Sequence, residues 1–267
     1  MSQQGQGANT QHKEHCFQDA FTVNMKVLTK PGRYHSSFPY NHCDLHAGEG
    51  FNWKADCIGS PIAFLEIVEQ FNKRYRAFFC DTDESKIMSL IRRPRVRAAM
   101  EEGRECCLFA RTNREVIKVF AERIRTTENP QLAMGSILVD PNGCFAESRT
   151  SKRPSRTPVF EIIDFCREFE RIDIVMNLNV RTMKMTRALV ARGESGWVDT
   201  FCPDIMEFPA LLNRRYWLIR KIKRKGRGDS FVMLIGRNWP YNDNENLGFH
   251  HLNSEHGQRI VAATRPL

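Results

Sequence analysis

Tyr40-Asn41-His42-Cys43-Asp44-Leu45-His46-Ala47-Gly48-Glu49-Gly50 decides how this chain of 267 residues is read. It is a short strand that ends in an acid and runs into a glycine turn. Gly48 and Gly50 allow backbone angles and a close ligand approach that a Cβ would forbid, so the turn suits a ligand lying across strand ends. A single Gly-x-Gly also occurs in ordinary loops, and the reading therefore depends on the residues downstream of the turn. These form an ordered series of strand-like apolar runs, several closing on polar or acidic residues, with helical patterns between them.

Gly59-Ser60-Pro61 opens a helix, with Ser60 as N-cap and Pro61 at its first position. Ile62, Phe64, Leu65, Ile67, Val68 and Phe71 recur behind it at helical spacing. Tyr75 to Cys80 is a buried-strand pattern closed by Asp81-Thr82-Asp83-Glu84. An acid ending the second strand is where nucleotide-binding α/β folds hold ribose hydroxyls, and Asp81 is the candidate. The plainer alternative is that Asp81 or Asp83 caps the helix Ser85 to Arg92. Arg104 to Ala110 gives a third strand and Glu115 to Arg125 an amphipathic helix. Met134 to Val139 gives a fourth strand, delivering Asp140 and Asn142 to the same edge as the glycine turn. Cys144 to Pro158 is a long, basic, Ser/Pro-rich loop of the length expected for a substrate lid or a disordered insertion. Phe160 to Phe169 is a helix, and Arg171 to Asn179 a fifth strand ending in Asn177 and Asn179. Helices come next at Thr182 to Ala191 and Asp204 to Asn213, then a hairpin of Arg215 to Lys223 and Ser230 to Gly236.

This alternation predicts an α/β fold: a mostly parallel sheet with helices on both faces and an antiparallel terminal hairpin. Residues 1–15, rich in Gln, Gly and Asn, read as a flexible leader. Residues 16–237 read as one domain and 238–267 as a polar C-terminal tail. Within the domain, Phe17, Phe21, Val23, Val27 and Leu28 suffice to dock Cys16 to Ser37 on a core, and Lys30-Pro31-Gly32 reads as a turn.

Hydrophobic residues at 41% and charged residues at 27% are ordinary for a globular protein, so a real core is expected. No apolar run approaches the roughly 20 residues that span a bilayer, and the first residues lack the apolar centre of a secretory signal. A cytoplasmic protein without membrane contact is expected; the oligomeric state stays open. The 9 cysteines, an odd number, fall mostly inside apolar runs where a reduced thiol packs as a small hydrophobe, which argues against a disulfide framework. His12, His15 and Cys16, like His250, His251 and His256, lack the spaced partner pairs of a metal site. The formal net charge of +9 favours polyanionic partners. Much of the positive charge lies in Arg149 to Arg156 and in Arg214 to Arg227, blocks expected to contact phosphates unless they are solvated faces.

Four segments carry a resemblance: Asp44 to Gly50 with Gly59-Ser60-Pro61, then Phe79-Cys80-Asp81-Thr82-Asp83, Val139-Asp140-Pro141-Asn142-Gly143, and Ile174-Val175-Met176-Asn177. They resemble the class I S-adenosylmethionine-dependent methyltransferases and, more narrowly, the three-Cys-motif partner family of Rossmann-like methyltransferases, over roughly Phe38 to Gly236. The resemblance implies a methyltransferase using S-adenosylmethionine, with Asp44, His46, Gly48 and Gly50 lining the cofactor and Asp81 on its ribose. It makes Asp140 and Asn142 the catalytic pair that positions the acceptor, for which the basic blocks favour nucleic acid. The departures are specific. His46 and Glu49 stand where phenylalanine and proline are commoner, and the third strand ends Ala110-Arg111-Thr112-Asn113 where such enzymes often carry an acid. Asp140-Pro141-Asn142-Gly143 resembles the DPPY-type motif of amino-methyltransferases without its aromatic, for which Phe145 is the nearest substitute. These departures support the alternative, a catalytically silent Rossmann-like module that binds nucleic acid or a partner protein. An NAD-dependent oxidoreductase is the weaker reading, because the Gly-x-Gly-x-x-Gly spacing fails at Phe51 to Trp53.

Overall fold

The computed structural model describes residues 10–28, 38–53, 56–141, 143–148, 157–194, 196–222, 230–240 and 247–265. The chain divides into two compact units: residues 1–138 with 171–173, and residues 139–170 with 174–267.

The first unit holds α1 (Thr10–Leu28), β1 (Tyr40–Asp44), β2 (Phe51–Asn52), β3 (Cys57–Ile58), α2 (Ser60–Gln70), β4 (Tyr75–Cys80), α3 (Glu84–Ile91), α4 (Pro94–Glu101), β5 (Glu105–Phe109), α5 (Asn113–Arg125) and β6 (Gly135–Val139), whose last residue groups with the second unit. β1 pairs in parallel with β4 on one side and β6 on the other, and β4 pairs in parallel with β5. The chain thus moves outward from β1 to β5 and then returns to the far side of β1. That reversal makes the end of β1 a topological switch point, where the loops diverge and leave room for a ligand. Every residue of β1, β4 and β6 is buried, as in a sheet covered on both faces. A Cβ on Gly135 would stand 1.8 Å from the Asn41 carbonyl oxygen, so β6 reaches β1 at that point only as glycine.

α1 begins at Thr10, inside the stretch read as a leader, and buries Cys16, Phe17, Ala20, Phe21, Val23 and Met25. The polar residues of its first turns hide the helix from a reading by periodicity. Phe21 meets Phe64 of α2 edge-on at 5.6 Å and His42 of β1 at 5.3 Å, while His42 stacks flat on Phe64 at 3.9 Å. His42 Nδ1 lies 2.8 Å from Ser136 Oγ on β6. Burial pushes the His42 pKa down to about 3, against a smaller raising effect from the hydrogen bond at Ser136, so the imidazole is a neutral core ring.

The second unit holds β7 (Glu147–Ser148), α6 (Val159–Glu168), β8 (Ile172–Asn179), whose first two residues group with the first unit, α7 (Val180–Ala191), β9 (Thr200–Phe201), α8 (Phe208–Leu211), β10 (Tyr216–Ile222), β11 (Phe231–Arg237), β12 (His250–His251) and α9 (Glu255–Ala262). β11 lies between β8 and β10 and runs antiparallel to both; β12 adds to β10, also antiparallel. β7 and β9 form a separate short ribbon. The helix expected over Asp204 to Asn213 is instead a 3₁₀ turn, Ile205–Glu207, capped reciprocally by Asp204 and Glu207, and then the single turn of α8 with Pro209 at its start. Proline is accommodated in a first turn but not mid-helix, which divides the segment there. The stretch read as a polar tail contains β12 and α9 and buries Phe249, Leu252, Ile260 and Val261.

Arg214, expected to begin a phosphate-contacting block, is 1% exposed. Its Nη1 donates to the carbonyls of Cys166 (2.6 Å), Leu212 (3.1 Å) and Asn213 (3.0 Å), and its Nη2 to that of Phe169 (2.9 Å). It satisfies the carbonyl ends of α6 and α8 and cannot meet a phosphate. Lys223 to Arg227 and the whole of Arg149 to Arg156 lie outside the described residues, as does Lys30-Pro31-Gly32.

The strands form a mixed sheet, mostly parallel, with an antiparallel terminal hairpin, and helices flank it. Among the described residues no helix is long and apolar enough to cross a membrane, and no three His, Cys, Asp or Glu side chains are grouped to hold a metal ion.

Candidate functional site

In the first unit the candidate residues gather beyond the ends of β1, β4 and β5. Ala47 N–H donates to the Cys80 carbonyl at 2.8 Å and Asp81 N–H to that of Phe109 at 3.2 Å, so the three strand ends are tied side by side. Asp44 is fully buried; Oδ1 accepts from His46 N–H at 2.9 Å and Oδ2 from Ser60 Oγ at 2.6 Å. Ser60 is therefore not the N-cap of α2. Gly59 occupies that position and, having no side chain, gives no side-chain cap, while the Ser60 hydroxyl is taken by the carboxylate. Asp44 binds the helix start to the turn and sets the turn's path.

His46 is half-buried, and its Nε2 lies 3.0 Å from Asn113 Nδ2. An amide nitrogen only donates, so this contact leaves the imidazole proton on Nδ1. Asn113 Oδ1 accepts in turn from Cys80 Sγ at 3.4 Å. Asn113 is thus a residue of the site that motif reading misses; only a polar residue opening α5 at the end of β5 hints at it. The two glycines differ. Gly50 (φ +72°) is a packing glycine, since a Cβ there would come within 2.5 Å of Leu90 Cδ1. Gly48 (φ +61°) has no atom within 4 Å of where its Cβ would stand.

Asp81 accepts Asp83 N–H at 2.9 Å on Oδ1 and pairs through Oδ2 with Lys86 Nζ at 3.3 Å. Capping of α3 falls to Asp83, whose side chain accepts Ser85 N–H at 3.0 Å. At the end of β5, Thr112 and Glu115 form a capping box for α5, so the departure from an acid at this position serves the helix.

In the second unit Asp140 is half-buried at the end of β6 and accepts from Asn177 Nδ2 at 2.8 Å. Asn179 donates its N–H to the Gly143 carbonyl at 2.7 Å and caps α7 by accepting Thr182 N–H at 3.0 Å. The end of β8 therefore holds both Asp140 and Gly143. Asn142 itself lies outside the described residues. Phe145 is 2% exposed and packs edge-on against Phe208 at 5.4 Å, so it is a core ring and does not replace the missing aromatic of the motif. A hydrogen bond from Cys202 lowers the Cys144 pKa.

The fold is thus of the Rossmann-like methyltransferase type. No family model and no curated protein matches the sequence. Among solved structures, the chain is similar to protein LPL1258 from Legionella pneumophila str. Philadelphia 1, with 12% identity over 91% of this chain and 90% of that one and a TM-score of 0.50. Looser likenesses are to magnesium protoporphyrin IX methyltransferase from Synechocystis PCC 6803 (7% identity, 84% and 83% covered, TM-score 0.41) and to M. jannaschii TYW2 (11% identity, 88% and 76% covered, TM-score 0.36). The likeness is one of fold and singles out no narrower family, the three-Cys-motif partner family included.

Proposed function

We propose that this chain is an S-adenosylmethionine-dependent methyltransferase with a nucleic-acid acceptor, nearest in its motifs to the three-Cys-motif partner family. The observation that carries the cofactor reading is the open cradle at Gly48: a left-handed glycine at a topological switch point, with empty space where a side chain would stand. His46, Gly48, Gly50 and Asp81 would hold the cofactor, which supplies a methyl group on a good sulfonium leaving group when bound. Asp44 fixes the turn, His46 faces the site with its Nε2 satisfied by Asn113, and Gly48 admits close approach. Asp81 accepts the ribose hydroxyls in place of Lys86. Asp140, oriented by Asn177, accepts a hydrogen bond from the acceptor's amino group, with Asn142 as its partner. Orientation of this kind supplies most of what methyl transfer needs. The net charge of +9 supports a polyanionic acceptor.

One observation favours the catalytically silent reading: the Asp81 carboxylate is already engaged by Lys86 and by Asp83 N–H. Calorimetric titration with S-adenosylmethionine decides between the two. Wild type binds, and Gly48→Val, which fills the cradle, binds at least about tenfold more weakly, because close approach is lost. Absence of binding by wild type would leave the silent module standing. Equal affinity of the two proteins would remove the glycine turn from the cofactor site.

A further inference from the structure

Between the glycine turn and α2 the chain makes an excursion that cofactor binding does not use. β2 and β3 form a two-rung ribbon, Phe51 opposite Ile58 and Asn52 opposite Cys57. Its base is pinched shut: Gly59 N–H donates to the Gly50 carbonyl at 2.9 Å, and a Cβ on Gly59 would lie 3.1 Å from the Gly50 carbonyl carbon. On this ribbon Trp53 is 63% exposed, yet it is held at several points. Its Nε1 donates to Glu49 Oε2 at 3.3 Å, its ring meets Phe51 at 4.7 Å and an angle of 65°, and Arg93 Cζ lies 4.9 Å from its centroid. Arg93 is itself anchored through Nε, which donates to the Glu49 carbonyl at 3.0 Å, and its Cζ lies 5.4 Å from the Phe51 centroid. A large apolar ring left in water yet kept in one place has lost its rotamer freedom in advance of any partner.

Beside these groups a cavity of about 710 Å³ is lined in part by Phe51, Arg93, Arg95 and Arg104. Arg95 is paired with Glu69, and Arg104 donates to Glu102 at 2.8 Å. Arg93 has no carboxylate partner among the described ion pairs. Arg93 lines this cavity and lies against Trp53, so the spot offers an exposed indole beside a guanidinium whose one hydrogen bond to the fold is made by Nε. A ligand that matches both carries a flat π surface and an adjacent negative charge. Nucleotides of a single strand have this pairing, whereas a duplex keeps its base faces stacked inward.

We propose that the Phe51–Trp53–Arg93 cluster is a stacking platform for a single-stranded segment of nucleic acid, a base lying on Trp53 and its phosphate on the Arg93 guanidinium. This deepens, and rests on, the reading of the acceptor as nucleic acid. The test uses the full chain and fluorescein-labelled single-stranded DNA and RNA oligonucleotides of mixed sequence, with anisotropy measured over a KCl series. Melting curves and S-adenosylmethionine calorimetry are run on every variant. Trp53→Ala weakens binding roughly tenfold, the loss of one stacked base, while Trp53→Phe keeps most of it. Arg93→Gln lowers the log–log salt slope by about 0.7, the loss of one phosphate contact on a single strand, and Arg93→Lys restores it. Thermal stability and cofactor affinity of the Trp53 variants stay at wild-type values. If the variants bind as wild type does, the platform is overturned and the acceptor reading survives. Wild type that binds S-adenosylmethionine but neither oligonucleotide sinks the acceptor reading and the platform together. A duplex bound as tightly with the same dependence on Trp53, or full displacement by poly-glutamate, overturns the assignment to a single strand.

Discussion

Asp44 and Asp140 both end a strand and both open a turn, yet the structure uses them differently. Asp44 is fully buried, with one oxygen on a backbone N–H and the other on a serine hydroxyl of the helix start. Asp140 is half-buried and accepts from Asn177 on β8. An acid enclosed by fixed donors builds the loop it stands in, while one at a partly open turn can still meet something from outside. The contrast teaches that strand-end acids of equal appearance in sequence differ in exposure once folded, which leaves Asp44 to the scaffold and Asp140 to the proposed working role.

The largest expected effect breaks the scaffold side. Asp44→Ala leaves the Ser60 hydroxyl and the His46 N–H without their acceptor, which costs about 3 kcal/mol of stability and abolishes S-adenosylmethionine binding with it. Urea melts and calorimetry on the same samples test this; a stable variant that merely binds weakly would make Asp44 a ligand contact instead. The working side gives a slightly smaller number and a different pattern. Asp140→Asn lowers methyl transfer to mixed nucleic acids about 10²-fold, close to 3 kcal/mol in the barrier, with melting temperature and cofactor affinity unchanged. Tritiated methyl incorporation beside a melting curve is the measurement, and joint loss of stability and cofactor affinity would reassign Asp140 as a turn former.

The smallest effect sharpens the comparison through pH, which acts on the first unit by way of His42. Its pKa is about 3 when folded, against an ordinary 6.5, so the unfolded chain binds the additional proton between those values. The stabilisation is complete above pH 6.5 and is lost, at roughly 1.4 kcal/mol per unit, as pH falls toward 3. Between pH 7 and pH 5 the wild type should lose about 2 kcal/mol from this source. The double variant His42→Phe, Ser136→Ala has no imidazole to protonate, and its profile over that range should be flat. An equally steep fall in the double variant would place the titrating group elsewhere.

The strands of five residues or more and the helices α2, α3, α5, α6 and α7 are legible in the sequence, because most of these strands are apolar runs closing on polar residues and α2, α5 and α6 repeat their apolar residues at helical spacing. Long-range hydrogen bonding is not legible. Ser60 is the right residue type for an N-cap but stands one residue inside α2, and its hydroxyl serves a carboxylate from another element. Asn113 is bound to His46 across 67 positions of sequence, a link that no local pattern announces. Arg214 sits among basic residues and reads as surface charge, although its guanidinium is turned inward to four carbonyls. The final stretch reads as a tail because its apolar residues are few, yet Phe249, Leu252, Ile260 and Val261 are placed so that all four are buried.

Two glycines leave different marks on any set of related chains. At Gly135 a side chain would collide with the Asn41 carbonyl, so descent with this fold must keep glycine there even where no ligand was ever bound. At Gly48 there is room, and the backbone angle is one that asparagine adopts at modest cost. A lineage that had stopped binding anything at this turn would drift to asparagine. Persistence of glycine at 48 would then record selection by a bound molecule, and persistence at 135 would record only the meeting of two strands.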